Sequence, residues 1–209
     1  MEKHIYFVRH GESEGNVSGI FHGGEVLLTK NGHEQAALAA ERVAHLNVGA
    51  LITSPFLRAS LTADAISKTI GLQAEPNNLF VEWVPPSSFI GQHREDPELK
   101  KAYEVIFDSS DKNYRHSDEE TFNEFSARAE MAAKFLEAHE SERICVVTHS
   151  GVIRMMVGLL TLRGAFSKEH FTALIHNFYL HNTGITYIKY NSEQGGWKLI
   201  TWNDQAHLG

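Results

Sequence analysis

The sequence predicts an α/β fold of three layers, α/β/α, in which a mostly parallel central sheet has helices on both faces. Apolar segments of strand length alternate with helix-like segments along most of the 209 residues, a pattern typical of parallel sheets. The C-terminal end instead carries two consecutive β-rich segments, which predict a hairpin. The sequence contains no repeats and no low-complexity linkers, so we expect one domain over residues 1–209, with an insertion at about residues 83–118.

Five segments are predicted as strands. Three apolar runs, at residues 4–8, 50–52 and 143–147, are each followed by polar or glycine-containing sequence and then by a helix-like segment, as expected of buried parallel strands. Aromatic and β-branched residues are concentrated at 186–190 and 197–202. We expect these last two strands to pair as the C-terminal hairpin.

Helices are predicted between the strands from apolar periodicity and helix-forming composition. The predicted spans are residues 28–46, 55–70, 98–107, 117–139 and 152–160. Ser54 is a good N-cap and Pro55 suits the first position of the second helix, while Gly71 suits its C-terminal end. The run Ser117-Asp118-Glu119-Glu120 resembles a capping box and predicts the start of the long fourth helix.

The first strand leads directly into Arg9, His10 and Gly11. An arginine presents a planar donor fork that suits phosphoryl oxygens, a histidine can act as a nucleophile, and a glycine allows close approach of the backbone to a ligand. The triplet therefore indicates a site for attack on phosphorus. Taken alone, it does not distinguish such a site from a loop that contains a histidine by chance.

Two other strand ends supply cationic or imidazole groups. Arg58 falls in the first turn of the predicted second helix, where free backbone N–H groups and the helix dipole favour anions. His149 follows the strand at residues 143–147. Because ligands of open α/β sheets bind beyond the carboxyl ends of the strands, we expect both residues to converge with Arg9 and His10.

Four motifs in this order resemble the histidine phosphatase superfamily, which includes the cofactor-dependent phosphoglycerate mutases. They are Arg9-His10-Gly11-Glu12-Ser13 with Asn16, Ser54-Pro55-x-x-Arg58-Ala59-x-x-Thr62-Ala63, Glu82, and Thr148-His149-Ser150-Gly151. The resemblance runs from residue 5 to about residue 190, and it implies a phosphoglycerate mutase-like fold.

The resemblance also implies the roles of the main site residues. His10 matches the nucleophile that becomes phosphohistidine, while Arg9, Arg58 and His149 match the pocket for the transferred phosphoryl group. The chemistry agrees, because arginines can compensate charge on the equatorial phosphoryl oxygens without a metal ion. Their positive charge also opposes protonation of His10, whose ring must be neutral to attack.

By the same resemblance, Glu82 is the proton donor to the leaving oxygen, a role that requires a carboxyl held in its protonated form by apolar neighbours. The resulting carboxylate can then activate the water that hydrolyses phosphohistidine. A surface glutamate at a strand end is the alternative interpretation of Glu82. The acids that would then replace it are Glu95, Asp96 and Glu98.

Further substrate contacts are expected around the phosphoryl pocket. Asn16 matches a family position that adds a hydrogen bond to the phosphoryl group, and Ser13 and Ser150 belong to the same motifs. His22 and Gly23 are candidates for a second wall, with backbone N–H groups available to substrate. We expect the insertion to act as a lid, and its candidate contacts are Trp83, Phe89, His93 and Arg94.

Composition limits the partners and the location. The net charge of −7 argues against nucleic acid and anionic membrane as partners, so a small phosphorylated substrate must be attracted by a local cationic pocket. The absence of a signal peptide and of any apolar run of membrane-span length predicts a cytoplasmic protein. The single cysteine, Cys145, lies in a predicted buried strand and is expected to be structural. A homodimer is left open.

The 13 histidines raise a metal site as a hypothesis, but the sequence has neither a His-x-x-x-His nor a His-Glu-x-x-His pattern. We therefore expect no metal and no other cofactor.

These inferences predict a phosphomonoesterase that acts on a small phosphorylated metabolite through phosphohistidine, a metal-independent phosphatase of the histidine acid type. One alternative is a phosphoglycerate mutase-type phosphoryl transferase. Mutases, however, usually carry a tryptophan and an aspartate near the position of residues 21–24 and have a longer middle region, and both features are missing here. The other alternative is a non-catalytic module that binds phosphorylated ligands. The intact set of His10, Arg9, Arg58 and His149 argues against that module.

Overall fold

The computed structural model describes residues 2–193 and 195–209. Its strands are β1 (Glu2–Arg9), β2 (Ala50–Thr53), β3 (Ala74–Pro76), β4 (Arg143–Thr148), β5 (Ile185–Asn191) and β6 (Gly196–Asp204). They form a sheet in the order β3-β2-β4-β1-β5-β6, parallel from β3 to β1 and antiparallel from β1 to β6. The predicted mostly parallel sheet and C-terminal hairpin are confirmed. Gln194, in the segment that connects β5 to β6, lies outside the described residues.

Seven α-helices occur within the described residues. They are α1 (Glu14–Ser18), α2 (Lys30–Ala44), α3 (Leu57–Ile70), α4 (Pro97–Asp108), α5 (Phe122–Ala138), α6 (Ser150–Leu162) and α7 (Lys168–Asn177). Five of them match the predicted helices within a few residues, apart from the start of α5. The short helix α1, the helix α7 and the strand β3 have no counterpart among the predictions.

The two faces of the sheet pack into two separate cores, because successive side chains of a strand point to opposite sides. Tyr6 and Val8 of β1 pack with α2 and α3, whereas Ile5 and Phe7 pack with α5 and α6. Cys145 of β4 belongs to the first core, and burial raises the pKa of its thiol to about 12. The three-layer α/β/α arrangement is therefore confirmed, and the cysteine is a packed, unreactive thiol.

The predicted start of the long helix is wrong, because α5 begins at Phe122 rather than at Ser117. Thr121 is its N-cap, and the hydroxyl of Thr121 accepts a hydrogen bond from the Glu124 N–H while the Glu124 carboxylate accepts one from the Thr121 N–H. The preceding run stays outside the helix because the fully buried Glu119 side chain accepts hydrogen bonds from two backbone N–H groups of its own loop.

The helix α3 also begins later than predicted, at Leu57, with Phe56 as its N-cap residue. The Ser54 hydroxyl accepts a hydrogen bond from the Phe56 N–H at 3.2 Å, so Ser54 ends the loop before the helix instead of capping it. Arg58 nevertheless lies in the first turn. Gly71 ends the helix as predicted, with a left-handed φ of 74°.

The loop that follows β1 lies in close contact with the N-terminus of α2. A Cβ atom at Gly11 would lie 2.5 Å from the carbonyl oxygen of Gly32, and a Cβ atom at Gly32 would lie 1.9 Å from the carbonyl oxygen of Glu12. Both contacts are with backbone, which cannot rotate away as a side chain can. The two glycines therefore fix the path of the chain immediately after His10.

We expect Gly32→Ala to lower the free energy of unfolding by about 1–3 kcal/mol, because the added methyl group forces the backbone of this loop to shift. Denaturant unfolding at constant m measures the change. The matched control is Gly164→Ala, at a position where a Cβ atom meets nothing within 4 Å. Equal stability of the two variants would show that the contact does not constrain the loop.

Candidate active site

The carboxyl ends of β1, β2 and β4 converge at a cavity of about 390 Å³. Nine of the predicted site residues line it: Arg9, His10, Ser13, Asn16, His22, Gly23, Arg58, Glu82 and Ser150. His149 is fully buried and lies behind the His10 ring, with 5.1 Å between the ring centroids. The strand ends therefore bring the predicted residues together.

The His10 ring is oriented by two hydrogen bonds. Its Nδ1 lies 2.7 Å from the carbonyl oxygen of Gly11, which can only accept, so Nδ1 carries the proton. Arg58 donates from Nε to His10 Nε2 at 3.2 Å, which makes Nε2 the unprotonated nitrogen. Burial, with the charges of Arg58 and Arg9, holds the pKa of His10 well below its usual value of 6.5. The ring is therefore neutral at neutral pH, with a lone pair on Nε2.

The backbone around His10 is held from three directions. The Gly11 N–H donates to the Thr62 hydroxyl at 3.0 Å, and the Asn182 side-chain amide donates to the His10 carbonyl oxygen at 3.0 Å. The Thr183 N–H donates to the carbonyl oxygen of the residue before His10 at 3.0 Å. Asn182 and Thr183 were not among the predicted site residues. The only feature of the sequence that indicates them is the polar turn that precedes the C-terminal hairpin.

Arg9 and Arg58 present guanidinium groups from desolvated positions. Arg58 is 9% exposed and donates to His10 and, from Nη1, to the Gly23 carbonyl oxygen at 3.0 Å. Arg9 donates from Nη1 to the Leu180 carbonyl oxygen, while its Nε has no partner among the described residues. Burial lowers the pKa of Arg9 to about 10, so it stays charged at neutral pH. Charged, incompletely paired donors in a desolvated cavity favour an anionic ligand.

His149 precedes α6 directly and has one paired nitrogen. Its Nε2 lies 2.9 Å from the Ser54 hydroxyl, and its buried Nδ1 has no partner among the described residues. Burial, then the charge of Arg58, holds the pKa of His149 well below its usual value. An unpaired buried nitrogen is costly, so Nδ1 is a candidate for contact with a bound group.

The Glu82 carboxylate lies at the N-terminus of α6. It accepts hydrogen bonds from the Trp83 N–H at 3.0 Å and from the Gly151 N–H at 3.2 Å. A Cβ atom at Gly151 would lie 2.4 Å from Glu82 Oε1, so only glycine leaves room for the carboxylate at this place. The three alternative acids lie outside the cavity lining: Glu95, Asp96 and Glu98.

Asn16 faces the cavity with a defined orientation. Its Oδ1 accepts hydrogen bonds from the Ser13 N–H, the Ser13 hydroxyl and the Asn182 side-chain amide, each at 3.1 Å. The acceptor end of the Asn16 amide is therefore used within the protein. The N–H donors on its Nδ2 are the part of the amide that is available to a ligand.

Two of the four candidate contacts in residues 83–118 line the cavity, and two do not. Trp83 and Arg94 line it. Phe89 is 3% exposed and packs against Phe21, with 5.4 Å between ring centroids. His93 accepts a hydrogen bond from a backbone N–H within its own loop. The predicted substrate contacts at Phe89 and His93 are therefore corrected to packing and loop structure.

Arg154 is a cavity residue that the sequence analysis did not single out. It is 9% exposed and donates to the carbonyl oxygens of Ser150, Leu174 and Phe178 at 3.2, 3.0 and 2.8 Å. Burial lowers the pKa of its guanidinium. The feature that could have identified Arg154 is its position within an otherwise apolar helix, because a buried arginine has to be hydrogen-bonded or paired with an anion.

Neither a cluster of metal-ligating side chains nor a membrane-spanning helix occurs among the residues that the structure describes. In residues 2–193 and 195–209, no group of three or more His, Cys, Asp or Glu side chains is placed to hold a metal ion. None of the helices described for this chain combines the length and apolar character needed to cross a bilayer.

Comparison with known proteins agrees with the geometry. The sequence model of the histidine phosphatase superfamily (branch 1) matches residues 5–205. A metal-independent phosphoserine phosphatase of Arabidopsis thaliana is 26% identical over 209 residues, covering 98% of this chain and 82% of that one. An adenosylcobalamin/alpha-ribazole phosphatase of Salmonella typhi is 28% identical over 178 residues, covering 80% and 84%.

Among solved structures, a phosphoserine phosphatase variant from Entamoeba histolytica in complex with phosphoserine is similar with a TM-score of 0.81 and 25% identity. The alignment covers 99% of this chain and 100% of that one. The family predicted from the four motifs is confirmed. The chain belongs to branch 1 of the histidine phosphatase superfamily, which catalyses the hydrolysis of phosphomonoesters through a phosphohistidine intermediate.

Proposed function

We propose that this protein hydrolyses small phosphomonoesters in two steps through a phosphohistidine on His10, without a metal ion. The observation that carries the proposal is the neutral His10 ring, whose unprotonated Nε2 lies 3.2 Å from Arg58 Nε in the wall of a cationic cavity. A neutral imidazole beside desolvated arginines combines a nucleophile with groups that stabilise phosphoryl oxygens.

In the first step, His10 Nε2 attacks phosphorus in line with the ester oxygen. The N–P bond forms as the P–O bond to the leaving group breaks. Arg58 exchanges its hydrogen bond with Nε2 for one with a phosphoryl oxygen, and Arg9 compensates charge on the equatorial oxygens. The Gly11 carbonyl, which accepts from Nδ1–H, stabilises the positive charge that develops on the ring.

Glu82 handles the proton in both steps. It gives its proton to the leaving oxygen. In the second step, the Glu82 carboxylate takes a proton from the water that attacks phosphorus. The N–P bond breaks, its electron pair returns to Nε2, and inorganic phosphate leaves.

The remaining predicted contacts complete this proposal. Asn16 donates from Nδ2 to the phosphoryl group, and His149 donates from Nδ1 while the Ser54 hydroxyl donates to its Nε2. The substrate is further contacted by Ser13, His22, Gly23 and Ser150. Residues 83–118 act as the lid, since this segment supplies cavity-lining residues such as Trp83.

Independence from metal ions gives a direct test. Because arginines supply the positive charge, hydrolysis of p-nitrophenyl phosphate should survive treatment with EDTA. Vanadate should inhibit, since its trigonal-bipyramidal form resembles the in-line transition state. Activity that is lost on chelation and restored only by a divalent cation would contradict the proposal.

We expect Arg58→Ala to lower kcat/KM by about 10²–10³-fold, the typical cost of one lost oxyanion donor. Arg58→Lys should recover part of the loss, because it keeps the charge but not the planar fork. The control is Lys68→Ala, an exposed cation on the same helix. A kcat/KM for Arg58→Ala that matches this control would exclude Arg58 from the phosphoryl pocket.

A further inference from the structure

The turn at residues 180–184 holds the backbone of both Arg9 and His10. The Thr183 N–H donates to the Arg9 carbonyl oxygen at 3.0 Å, and the Asn182 side-chain amide donates to the His10 carbonyl oxygen at 3.0 Å. The Arg9 guanidinium in turn donates to a carbonyl oxygen of this turn. The distance between the nucleophile and a phosphoryl-binding cation therefore depends on the conformation of the turn.

Thr183 has a backbone conformation that its own side chain disfavours. Its φ is 59°, in the left-handed region, and the residue is fully buried. Four non-glycine residues among those that the structure describes have a positive φ, and Thr183 is the one with a β-branched side chain. A strained residue persists only where the surrounding structure holds it. Because glycine would adopt this φ freely, the threonine side chain itself has to be examined.

The Thr183 hydroxyl is hydrogen-bonded on two sides. It donates its one proton to the Asn182 carbonyl oxygen at 2.7 Å, so its oxygen accepts the hydrogen bond that joins it to His207 Nε2 at 3.1 Å. Burial lowers the pKa of His207, so the ring is neutral at neutral pH and its proton lies on Nε2. The buried Nδ1 has no partner among the described residues. The hydrogen bond to Thr183 therefore fixes the orientation of the His207 ring.

His207 is carried by a short 3₁₀ helix, Ala206–Leu208, that is attached to α2. The Asp204 carboxylate accepts hydrogen bonds from the Ala206 N–H at 2.9 Å and from Nη2 of Arg42, a residue of α2, also at 2.9 Å. The hydrogen bond from His207 thus connects the strained turn to a long helix of the fold.

We propose that Thr183 and His207 are positioning residues for phosphoryl transfer: the hydrogen bond from His207 Nε2 to the Thr183 hydroxyl holds the strained turn in the conformation that aligns His10 with phosphorus. This role rests on the proposed function, in which His10 Nε2 attacks in line. Neither side chain lines the cavity, so both act through the backbone carbonyl groups of Arg9 and His10. In-line attack is sensitive to such support, because a displacement of about 1 Å can cost about 10²-fold in rate.

Paired substitutions isolate this hydrogen bond. Thr183→Val removes the hydroxyl at nearly constant shape, and His207→Phe removes the donor but keeps a ring. Each should slow the formation of phosphohistidine by roughly 10- to 100-fold, measured by rapid mixing with a substrate labelled in its phosphoryl group. Thr183→Ser keeps the hydroxyl and His207→Gln keeps an N–H donor, so each should recover most of the rate.

The affinity for inorganic phosphate distinguishes positioning from general damage to the pocket. It should be unchanged in all four variants, because Arg58 is held by the Gly23 carbonyl and not by the turn. The combined variant Thr183→Val with His207→Phe should be no slower than the slower single variant, since both substitutions break the same hydrogen bond. The control is His45→Phe, which removes an exposed imidazole at the end of α2 and should keep the wild-type rate.

Three results would overturn the proposal: wild-type rates in Thr183→Val and His207→Phe, losses that Thr183→Ser and His207→Gln do not recover, or phosphate binding that weakens in parallel with the rate. Losses that multiply in the combined variant would also overturn it. If denaturant unfolding shows that Thr183→Val does not fold, the comparison of His207→Phe with His207→Gln decides alone.

The wild-type protein separates this role from the proposed function. If the wild type forms phosphohistidine on His10 and His207→Phe forms it equally fast, only the positioning role fails. If the wild type hydrolyses no phosphomonoester, or hydrolyses p-nitrophenyl phosphate without labelling His10, the proposed function fails and the positioning role fails with it.

Discussion

His10→Ala is expected to abolish turnover, with a loss of roughly 10⁶-fold as measured when the nucleophile is removed from another covalent hydrolase. Without Nε2, water must attack phosphorus directly, and no phosphoenzyme forms. Inorganic phosphate should still bind in calorimetry, because Arg9 and Arg58 remain in the cavity wall.

The matched control is His33→Ala, which removes an exposed imidazole from α2 and should leave the rate unchanged. Should the His10→Ala protein keep most of its rate, phosphohistidine is not on the reaction path. Loss of phosphate binding together with turnover would mean that the substitution damages the pocket, and the rate would then have to be compared in His10→Asn.

The second large effect is expected at Glu82. If Glu82 protonates the leaving oxygen, Glu82→Gln should lower kcat/KM for alkyl phosphates by about 10²–10⁴-fold, the usual contribution of a general acid. Hydrolysis of p-nitrophenyl phosphate should lose far less, because its leaving group departs without a proton. The parameter to compare is kcat/KM, since it reports the phosphoryl transfer to His10 and not the later attack of water.

Glu95→Gln and Glu98→Gln are the controls, because both carboxyls lie within residues 83–118 but outside the cavity lining. They should leave kcat/KM for both substrate classes unchanged. Equal losses on both classes in Glu82→Gln would contradict the role as proton donor. They would point instead to a structural role, through the hydrogen bonds that Glu82 accepts at the start of α6.

The site was predictable where it depends on the order of strands and on local motifs. Arg9, His10 and Arg58 meet at the cavity because each ends a strand or follows one within a few residues, and parallel strands end at the same edge of the sheet. The helix α3 begins two residues later than predicted, but Arg58 still lies in its first turn, so the error did not affect the predicted position of Arg58.

Contacts between distant parts of the chain were not predictable. Asn182 holds the carbonyl of His10 across 172 residues, and no local pattern indicates that pairing. The start of α5 depends on Thr121, while the competing capping signal upstream was overridden by the burial of Glu119. Local helix propensity predicts a helix boundary poorly where tertiary contacts determine it.

Residues 83–118 and the shortest helices and strands were also not predictable from local sequence. Residues 83–118 have little periodicity, so packing residues such as Phe89 were indistinguishable from residues that face the cavity, such as Trp83. The strand β3 has three residues and no apolar run, and α1 has only five residues. Elements of this length are fixed by their neighbours rather than by their own sequence.

The central claim is that a covalent bond forms between His10 and the transferred phosphoryl group. The most direct test is to mix the protein with a substrate labelled in its phosphoryl group, stop the reaction in alkali during turnover, and locate the label by peptide mapping. The account predicts label on His10 that is stable in base, is lost in acid, and is absent from the His10→Ala protein. Turnover without any such label, or label on another residue, would contradict it.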